Sequence, residues 1–402
     1  MNKSGSINLS GGQVEACEKL EAWWLKNPHD RPFLLNGYAG TGKTTAVEHF
    51  LKRLGLKQED VRLLAPTGKA ARVLANRTGW ETSTIHRELY MPSESRKIIE
   101  IKERMKAAKT DDEVAQLRKE LARLERRGNT VSFNSKESTT DAKLFIVDES
   151  SMLDERVAND LQNLGVPLLL LGDPGQLPPV KGKSGFAGVK ADVTLTDILR
   201  QDEGSSILRA AEIVRSGGRL PETCDWGAFR RVRPKELGDA DYAQFDMLLC
   251  GTHKVRKAFN RRLRRELIPE ADGWIPQEGD RLVCRANNYR RKLMNGQLVQ
   301  ALAEAEPVDD MRATIDIVDD EGVKRHGELV SSLRFQDHYA NVPVHRVEYA
   351  VELDFAYALT VHSAQGSEWG RIVVLNDWKG KQSREWLYTA ITRGASEVVL
   401  VG

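Results

Sequence analysis

Residues 37–44, Gly-Tyr-Ala-Gly-Thr-Gly-Lys-Thr, constrain the fold of this chain more than any other segment. They fit the spacing G-x-x-x-x-G-K-[ST], in which successive backbone N–H groups and the N-terminus of the next helix surround an anion. The apolar run Phe33 to Leu35 predicts a strand entering the loop, and Thr45 to Arg53 predicts a helix leaving it. A strand–loop–helix unit of this kind predicts an α/β fold with a nucleotide-phosphate site.

Within this loop, Lys43 is expected to reach the β- and γ-phosphates, and the Thr44 hydroxyl is expected to ligate Mg²⁺. The other loop residues predicted to bind the nucleotide are Gly37, Gly40, Thr41, Gly42 and Thr45. Taken alone, the motif predicts binding of a nucleoside triphosphate and does not specify the reaction.

The composition sets loose bounds. A chain of 402 residues is long enough for two or three domains, and a formal net charge of +2 does not by itself indicate a nucleic-acid partner. Four widely spaced cysteines favour reduced thiols in a cytosolic protein. Because no stretch approaches 18 apolar residues and the N-terminus has no apolar core, we expect a protein that is neither secreted nor membrane-spanning.

Other short apolar runs also end in polar residues. Leu144 to Val147 leads to Asp148 and Glu149, and Leu168 to Leu171 leads to a loop that contains Gln176. Because these runs do not alternate with polar residues, they predict parallel sheets covered on both faces, with ligands beyond the carboxyl ends of the strands. A similar series begins at Met247, which predicts a second α/β domain.

Two carboxylates follow the 144–147 run and could supply the groups that hydrolysis of a nucleoside triphosphate needs. Asp148 could hold Mg²⁺, while Glu149 could orient or deprotonate the attacking water. Gln176 could sense the γ-phosphate, although a solvated loop glutamine is the alternative interpretation.

The whole series of motifs resembles that of the superfamily 1B helicases, the group that contains RecD-like and phage Dda-type helicases. The resemblance covers nearly the whole chain in the family's order, at residues 37–44, 65–71, 84–87, 147–152, 172–180, 199–201, 360–368 and 388–393.

This resemblance implies roles for further residues. Arg200 and Arg393 would supply positive charge at the γ-phosphate, one from each core domain, and Gln13 would read the adenine. The residues that would contact DNA are Pro66, Thr67, His86, Thr360, His362 and Ser363. Tyr289, beside a basic cluster, is a candidate base-stacking platform, and Lys254 to Arg265 forms a second basic cluster or a solvated helix face.

We therefore predict an α/β protein with two RecA-like parallel-sheet P-loop domains, a pin-type insertion and an SH3-like β-barrel insertion. The predicted ranges are 1–90 and 137–205 for the first core domain, 91–136 for its insertion, 206–278 and 351–402 for the second core domain, and 279–350 for the barrel.

Two apolar repeats at helical spacing, which begin at Ile98 and Val114, predict a helical hairpin within 91–136. It would be inserted into the family's β-hairpin pin or would replace it. Tyr90 and Phe133 flank this hairpin and are candidates for stacking at a DNA fork or, equally, for core packing.

The resemblance implies an ATP-dependent DNA helicase that moves 5′→3′ on single-stranded DNA and unwinds forked duplex, with ATP and Mg²⁺ bound between the core domains. It also implies a monomer in the cytoplasm of a bacterium or a phage-infected cell, with a single-strand-binding protein among its candidate partners. Three alternatives stay open: a translocase that remodels protein–DNA complexes without productive unwinding, a small-molecule kinase or other P-loop enzyme, and a nucleic-acid-binding module whose ATP site only switches conformation.

Overall fold

The structure, a computed structural model, describes most of the chain. The described residues are 9–94, 101, 104–105, 113–114, 116–118, 120–121, 131–135, 141–179, 185–186, 189–198, 205–271, 273–288, 291, 293–320, 322–336 and 350–402. No helix within these residues combines the length and apolarity needed to span a membrane.

The described helices and strands follow one another along the chain in a mixed α/β order. The helices are α1 (Gly11–Lys26), α2 (Lys43–Leu54), α3 (Gly68–Thr78), α4 (Ile85–Leu89), α5 (Glu155–Asn163), α6 (Ser205–Arg215), α7 (Asp239–Ala243), α8 (His253–Leu267), α9 (Val361–Ala364) and α10 (Ser383–Ile391). The strands are β1 (Phe33–Gly37), β2 (Val61–Ala65), β3 (Thr82–Thr84), β4 (Tyr90–Glu94), β5 (Val131–Ser135), β6 (Leu144–Val147), β7 (Leu168–Gly172), β8 (Val193–Leu195), β9 (Cys224–Asp225), β10 (Phe229–Val232), β11 (Met247–Cys250), β12 (Arg281–Cys284), β13 (Leu298–Ala301), β14 (Glu306–Asp309), β15 (Arg312–Asp319), β16 (Lys324–Ser331), β17 (Val351–Phe355), β18 (Ala358–Thr360), β19 (Trp369–Leu375) and β20 (Gly394–Val401).

The chain divides into two compact units, each discontinuous in sequence. The first unit comprises Met1–Ile85, Thr140–Pro269 and Ala356–Gly402, and the second comprises His86–Thr139 and Glu270–Phe355. The domain boundaries given above stay predictions.

A six-stranded parallel sheet in the first unit carries the phosphate loop. Its strand order is β3-β2-β6-β7-β1-β8, and every pairing is parallel. All residues of β6 and β7 are buried, which explains why their sequences read as unbroken apolar runs. The carboxyl ends of β1, β6 and β7 therefore meet at one edge of the sheet, where the loops that follow them begin.

The first unit contains a second six-stranded sheet, with the order β18-β11-β19-β20-β10-β9. Its pairings are parallel except for the short edge strand β9, which runs antiparallel to β10. The two sheets confirm the predicted parallel-sheet core.

One side chain from α8 forms hydrogen bonds with the free backbone edge of strand β18. Leu248 donates its N–H to the Tyr357 carbonyl at 3.2 Å, so the polar backbone atoms of Ala358 face away from β11. The buried amide of Asn260 accepts the Ala358 N–H at 2.7 Å and donates to the Ala358 carbonyl at 3.3 Å. One asparagine thus satisfies both backbone groups that an open sheet edge would leave unpaired.

The second unit contains a β-barrel, as predicted for the SH3-like insertion. The strand order is β13-β12-β17-β16-β15-β14, and an additional pairing of β13 with β15 closes five of these strands into the barrel. Along β15, buried and half-buried residues alternate strictly, as expected for a strand with one face inside a barrel.

The chain enters and leaves the predicted helical hairpin through an antiparallel ribbon. Strands β4 and β5 pair from Tyr90 opposite Ser135 to Glu94 opposite Val131. Between them, the described positions are helical, and Ile101 and Leu117 of the predicted apolar repeats are buried. The remaining positions of the hairpin lie outside the described residues. The ribbon favours insertion of the helices into a β-hairpin over its replacement.

The hydrogen bonds of Asn260 with β18 generate a stability prediction. Replacing Asn260 by alanine leaves a buried N–H and a buried carbonyl of Ala358 without this partner, so we expect the free energy of unfolding to fall by about 2–4 kcal/mol. Urea denaturation measures this loss. The matched control is Lys254→Ala on the exposed face of the same helix, which should change stability little. A loss for Asn260→Ala no larger than that of the control would contradict the assignment.

Candidate nucleotide and nucleic-acid site

The phosphate loop follows β1 and is shaped by its glycines. Gly40 and Gly42 have φ angles of +78° and +75°, which favour glycine. A Cβ on Gly37 would lie 2.7 Å from Thr41 Oγ1 and 2.9 Å from Lys43 Cγ, so only glycine fits there. Helix α2 begins after Gly42 without a side-chain cap, which leaves the N–H groups of its first turn directed at an anion site.

Internal hydrogen bonds hold the loop in this shape. Lys43 Nζ donates to the Gly37 carbonyl and, at 3.4 Å, to the Tyr38 carbonyl. The buried Thr41 donates its hydroxyl to the Tyr38 carbonyl at 2.8 Å. The lysine therefore lies over its own loop, within reach of whatever anion the N–H groups bind.

Gln13 ties the start of α1 to the loop. Its Oε1 accepts from the Ser10 N–H at 3.0 Å, and its Nε2 donates to the Gly42 carbonyl at 3.0 Å. The side chain is only 2% exposed. The predicted reading of adenine stays a prediction, while the contact with Gly42 is a loop-positioning contact that the sequence analysis missed.

The loop opens into a cleft of about 640 Å³, a size typical of nucleotide and cofactor sites. The cleft brings together most of the residues predicted for the ATP site: Gln13, Gly40, Gly42, Lys43, Thr44, Thr45, Asp148, Glu149, Gln176 and Arg393. Both sheets contribute, since Arg393 directly precedes β20 of the second sheet. Arg200 lies outside the described residues.

Asp148 and Glu149 follow β6 in a constrained geometry. Asp148 Oδ1 accepts the Glu149 N–H at 2.9 Å, and Glu149 has a φ of +51°, a left-handed conformation that is uncommon outside glycine. Burial and the adjacent Asp148 carboxylate raise the pKa of Glu149, while the positive charges of Arg393 and Lys43 oppose this rise. The carboxylate therefore lies within electrostatic reach of both cations.

The predicted magnesium ligands fit that ion chemically. Thr44 and Asp148 both line the cleft and offer the hydroxyl and carboxylate oxygens that Mg²⁺ prefers. Among the described residues there is no cluster of three or more His, Cys, Asp or Glu that could form a closed metal cage. A P-loop site needs none, because water and phosphate oxygens complete the coordination.

Arg393 is fixed by acceptors from its own part of the chain. It donates from Nε to the Thr389 carbonyl at 3.1 Å, from Nη1 to the Ser367 carbonyl at 3.2 Å, and from Nη2 to the Thr392 hydroxyl at 3.2 Å. Its side chain is 6% exposed. A buried guanidinium with a defined orientation differs from an exposed arginine in a surface ion pair.

Helix α10 makes contacts that the sequence analysis did not predict. The Tyr388 hydroxyl accepts the Ala39 N–H of the phosphate loop at 2.9 Å and donates to Asp173 Oδ2 at 2.8 Å. The Thr389 hydroxyl accepts the Leu177 N–H at 3.0 Å. Tyr388 belongs to the 388–393 motif, so the sequence contained the signal, but residue type alone assigned it no role.

Gln176 is held in the same region. Its Nε2 lies 3.4 Å from Asp173 Oδ2, whereas its Oε1 is buried and has no hydrogen-bond partner among the described residues. A buried carbonyl oxygen without a partner in a cleft is able to accept from a bound water or ligand. The alternative of a solvated loop glutamine does not fit its 8% exposure.

The residues predicted to contact DNA on the two sheets lie at strand ends. Pro66 and Thr67 follow β2, and the Thr67 hydroxyl caps α3 by accepting the Ala70 N–H at 3.1 Å. Thr360 ends β18 and donates its hydroxyl to Ser363 Oγ at 2.9 Å. Their roles in binding DNA stay predictions.

The other residues predicted to contact DNA are His362, His86 and Tyr289. The His362 ring packs edge-on against Trp378, with ring centroids 5.4 Å apart, and burial lowers the pKa of His362, so the imidazole is neutral near pH 7. His86 is half-buried on α4. Tyr289 lies outside the described residues.

The basic cluster on α8 is only partly available for DNA. Arg256 and Arg264 are buried, and Arg262 pairs with Asp239 at 2.5 Å. Lys254 and Arg265 are exposed. The structure therefore gives several of these side chains a local packing or pairing role.

Comparison with known proteins identifies related families and relatives. Residues 8–229, more than half of the chain, match the AAA domain family, and residues 355–401 match the UvrD-like helicase C-terminal domain. The ATP-dependent RecD2 DNA helicase of Deinococcus radiodurans is 29% identical over 100% of this chain and 50% of that protein. The RecBCD enzyme subunit RecD of Mycolicibacterium smegmatis is 25% identical, covering 92% of this chain and 68% of that protein.

A structural comparison supports the same fold. A crystal structure of Bacteroides Pif1 bound to single-stranded DNA aligns with a TM-score of 0.52 and 16% identity, covering 98% of this chain and 92% of that one. This chain spans about half the length of the RecD2 protein that it matches.

The raised pKa of Glu149 predicts a pH-dependent gain in stability on its replacement. In the unfolded chain, Glu149 loses its proton near the ordinary glutamate pKa of about 4.3. In the folded protein, it keeps that proton to a higher pH, so ionisation of Glu149 favours the unfolded state. The Glu149 carboxylate therefore destabilises the fold at neutral pH and has no such effect below about pH 4.

We accordingly expect Glu149→Gln to raise the midpoint of thermal unfolding near pH 7.5, with the gain disappearing near pH 4. Calorimetry across this pH range measures the difference, and Glu222→Gln at an exposed site is the matched control. A gain that is independent of pH would contradict the electrostatic origin.

Proposed function

We propose that this chain, which belongs to the AAA domain family, is an ATP-dependent DNA helicase of the RecD-like group of superfamily 1B. The observation that carries the proposal is the cleft, where Lys43 and Glu149 from the first sheet meet Arg393 from the second. Phosphoryl transfer requires positive charge where negative charge develops, together with a base or water-orienting group near the attacking water.

The geometry supports a division of roles within the cleft. Lys43 and the N–H groups at the start of α2 would bind the β- and γ-phosphates. Glu149, with its raised pKa, would accept a proton from the attacking water, and Gln176 Oε1 would orient that water. Mg²⁺ held by Thr44 and Asp148 would neutralise phosphate charge when bound.

Arg393 would couple this chemistry to movement. Its three acceptors lie at the end of α10 and in the loop before β19, so the guanidinium moves with the second sheet. It can stabilise charge on the γ-phosphate only when the cleft is closed, and hydrolysis therefore changes the preference for the closed state. Repeated closure and opening along single-stranded DNA would produce translocation.

The strand-end residues would supply the track. Thr67, Thr360 and Ser363 carry hydroxyls at strand ends or helix starts, which suits contacts with phosphate oxygens that carry no sequence information. The Bacteroides Pif1 structure holds single-stranded DNA in a protein of the same fold, which supports this assignment. Movement in the 5′→3′ direction, monomeric action, a cytoplasmic location and a single-strand-binding partner rest on the resemblance and are part of the proposal.

Loss of the Arg393 side chain is expected to abolish hydrolysis without preventing nucleotide binding. By analogy with arginine fingers, Arg393→Ala should lower kcat by about 10³-fold or more. Steady-state ATPase assays with saturating single-stranded DNA measure this, and Arg384→Ala on the exposed face of α10 is the matched control. A kcat within a few-fold of the native protein would remove Arg393 from the mechanism.

Polarity is tested with partial duplexes that carry a single-stranded tail at either the 5′ or the 3′ end. We expect ATP-dependent unwinding of the 5′-tailed substrate, little unwinding of the 3′-tailed one, and none by Lys43→Ala. Preference for the 3′ tail would overturn the proposed direction. DNA-stimulated ATPase activity without unwinding of either substrate would favour the translocase, and ATPase activity indifferent to DNA would favour another P-loop enzyme.

A further inference from the structure

The Tyr388 hydroxyl lies at the meeting point of three catalytic segments. It accepts the Ala39 N–H of the phosphate loop at 2.9 Å and donates to Asp173 Oδ2 at 2.8 Å. The side chain is 2% exposed, and a Cβ on Gly175 would lie 2.9 Å from its ring. The tyrosine thus comes from the second sheet's helix α10 and contacts the loops that follow β1 and β7 of the first sheet.

The contact with Ala39 does not compete with phosphate binding. The anion site is formed by the N–H groups at the start of α2, which begins after Gly42, whereas Ala39 lies three residues earlier. A protein acceptor can therefore hold the Ala39 N–H while a nucleotide occupies the helix start. Such a contact would position the loop without contributing to nucleotide affinity.

The contact with Asp173 extends to Gln176. Asp173 Oδ1 accepts the Gly175 N–H at 2.9 Å, and its Oδ2 lies 3.4 Å from Gln176 Nε2, so Tyr388 and Gln176 share one carboxylate oxygen. That arrangement leaves Gln176 Oε1 buried in the cleft without a protein partner among the described residues. The orientation of this oxygen depends on Asp173, and the position of Asp173 depends on Tyr388.

The same helix fixes the arginine. Thr389, next to Tyr388, accepts the Arg393 Nε–H through its carbonyl at 3.1 Å and the Leu177 N–H through its hydroxyl at 3.0 Å. Two consecutive residues of α10 therefore form hydrogen bonds with the phosphate loop, the Gly172–Leu177 segment and Arg393, and these bonds determine the relative positions of the three.

We infer that Tyr388 is a positioning residue for ATP hydrolysis, whose hydroxyl aligns the phosphate loop with Gln176 as the second sheet presents Arg393. This inference rests on the proposed ATPase function. Burial and the nearby Asp173 raise the pKa of Tyr388, so the hydroxyl keeps the proton that it donates to Asp173. Positioning of this kind acts on the transition state, and its loss lowers kcat with little change in KM.

The test is Tyr388→Phe, which removes the hydroxyl and keeps the ring against Gly175. We expect kcat for DNA-stimulated ATP hydrolysis to fall at least tenfold, while KM for ATP changes by less than about twofold. Binding of ADP with aluminium fluoride, a transition-state analogue, should weaken by a similar factor, and binding of ADP alone should not. The matched control is Tyr242→Phe, another buried tyrosine of the first unit, which should leave all four values unchanged.

A double-mutant cycle separates positioning from simple packing. Gln176→Ala and Tyr388→Phe share the contact through Asp173, so the combined fold-loss in kcat should be smaller than the product of the two single losses. Fully additive losses, an unchanged kcat, or a rise in KM at constant kcat would each overturn the inference. An inactive native protein would instead refute the proposed function.

Thermal unfolding of each variant shows whether the fold is intact. Should Tyr388→Phe prove too unstable to assay, Asp173→Asn interrupts the same chain of contacts from the other side. The same loss in kcat at constant KM is expected, and an unchanged kcat for Asp173→Asn would overturn the inference.

Discussion

The hydrogen bonds between α10 and the loops of the first sheet are the interactions on which the rest of the ATP cleft depends. Parallel sheets place their functional loops at one edge, but each sheet supplies only part of a hydrolytic site. Tyr388 and Thr389 join the parts through Ala39, Asp173 and Leu177. Because these contacts use uncharged donors or a single buried carboxylate, they have a defined geometry.

The cleft also contains features that reduce stability. Glu149 has a left-handed backbone conformation next to another carboxylate, and the buried carbonyl oxygen of Gln176 has no hydrogen-bond partner in the described part of the chain. Each feature costs free energy and suits the proposed site, which would bind water, phosphate and a cation. The surrounding strands compensate, since every residue of β6 and β7 is buried.

Much of the fold and part of the site could be predicted because they depend on local sequence. The runs ending at Val147 and Leu171 are continuous, so they indicated buried parallel strands, and the acidic pair after β6 followed from its position at a strand end. Tyr388 could not be assigned, since its role comes from contacts with residues more than 200 positions away in sequence. For the helical insertion, the sequence left insertion into a β-hairpin and replacement of it both open, because the two strands pair across a segment with stronger helical periodicity.

The hydroxyl protons at the strand ends refine the proposed DNA track. A hydroxyl has one proton to donate and two lone pairs with which to accept. Thr67 uses a lone pair to cap α3, so its proton remains for a phosphate oxygen. Thr360 accepts the Ser363 N–H and gives its own proton to Ser363 Oγ, which leaves the Ser363 proton as the donor of that pair. In the proposed track, Ser363 would then be the residue of α9 that donates to DNA, and Thr360 would orient it.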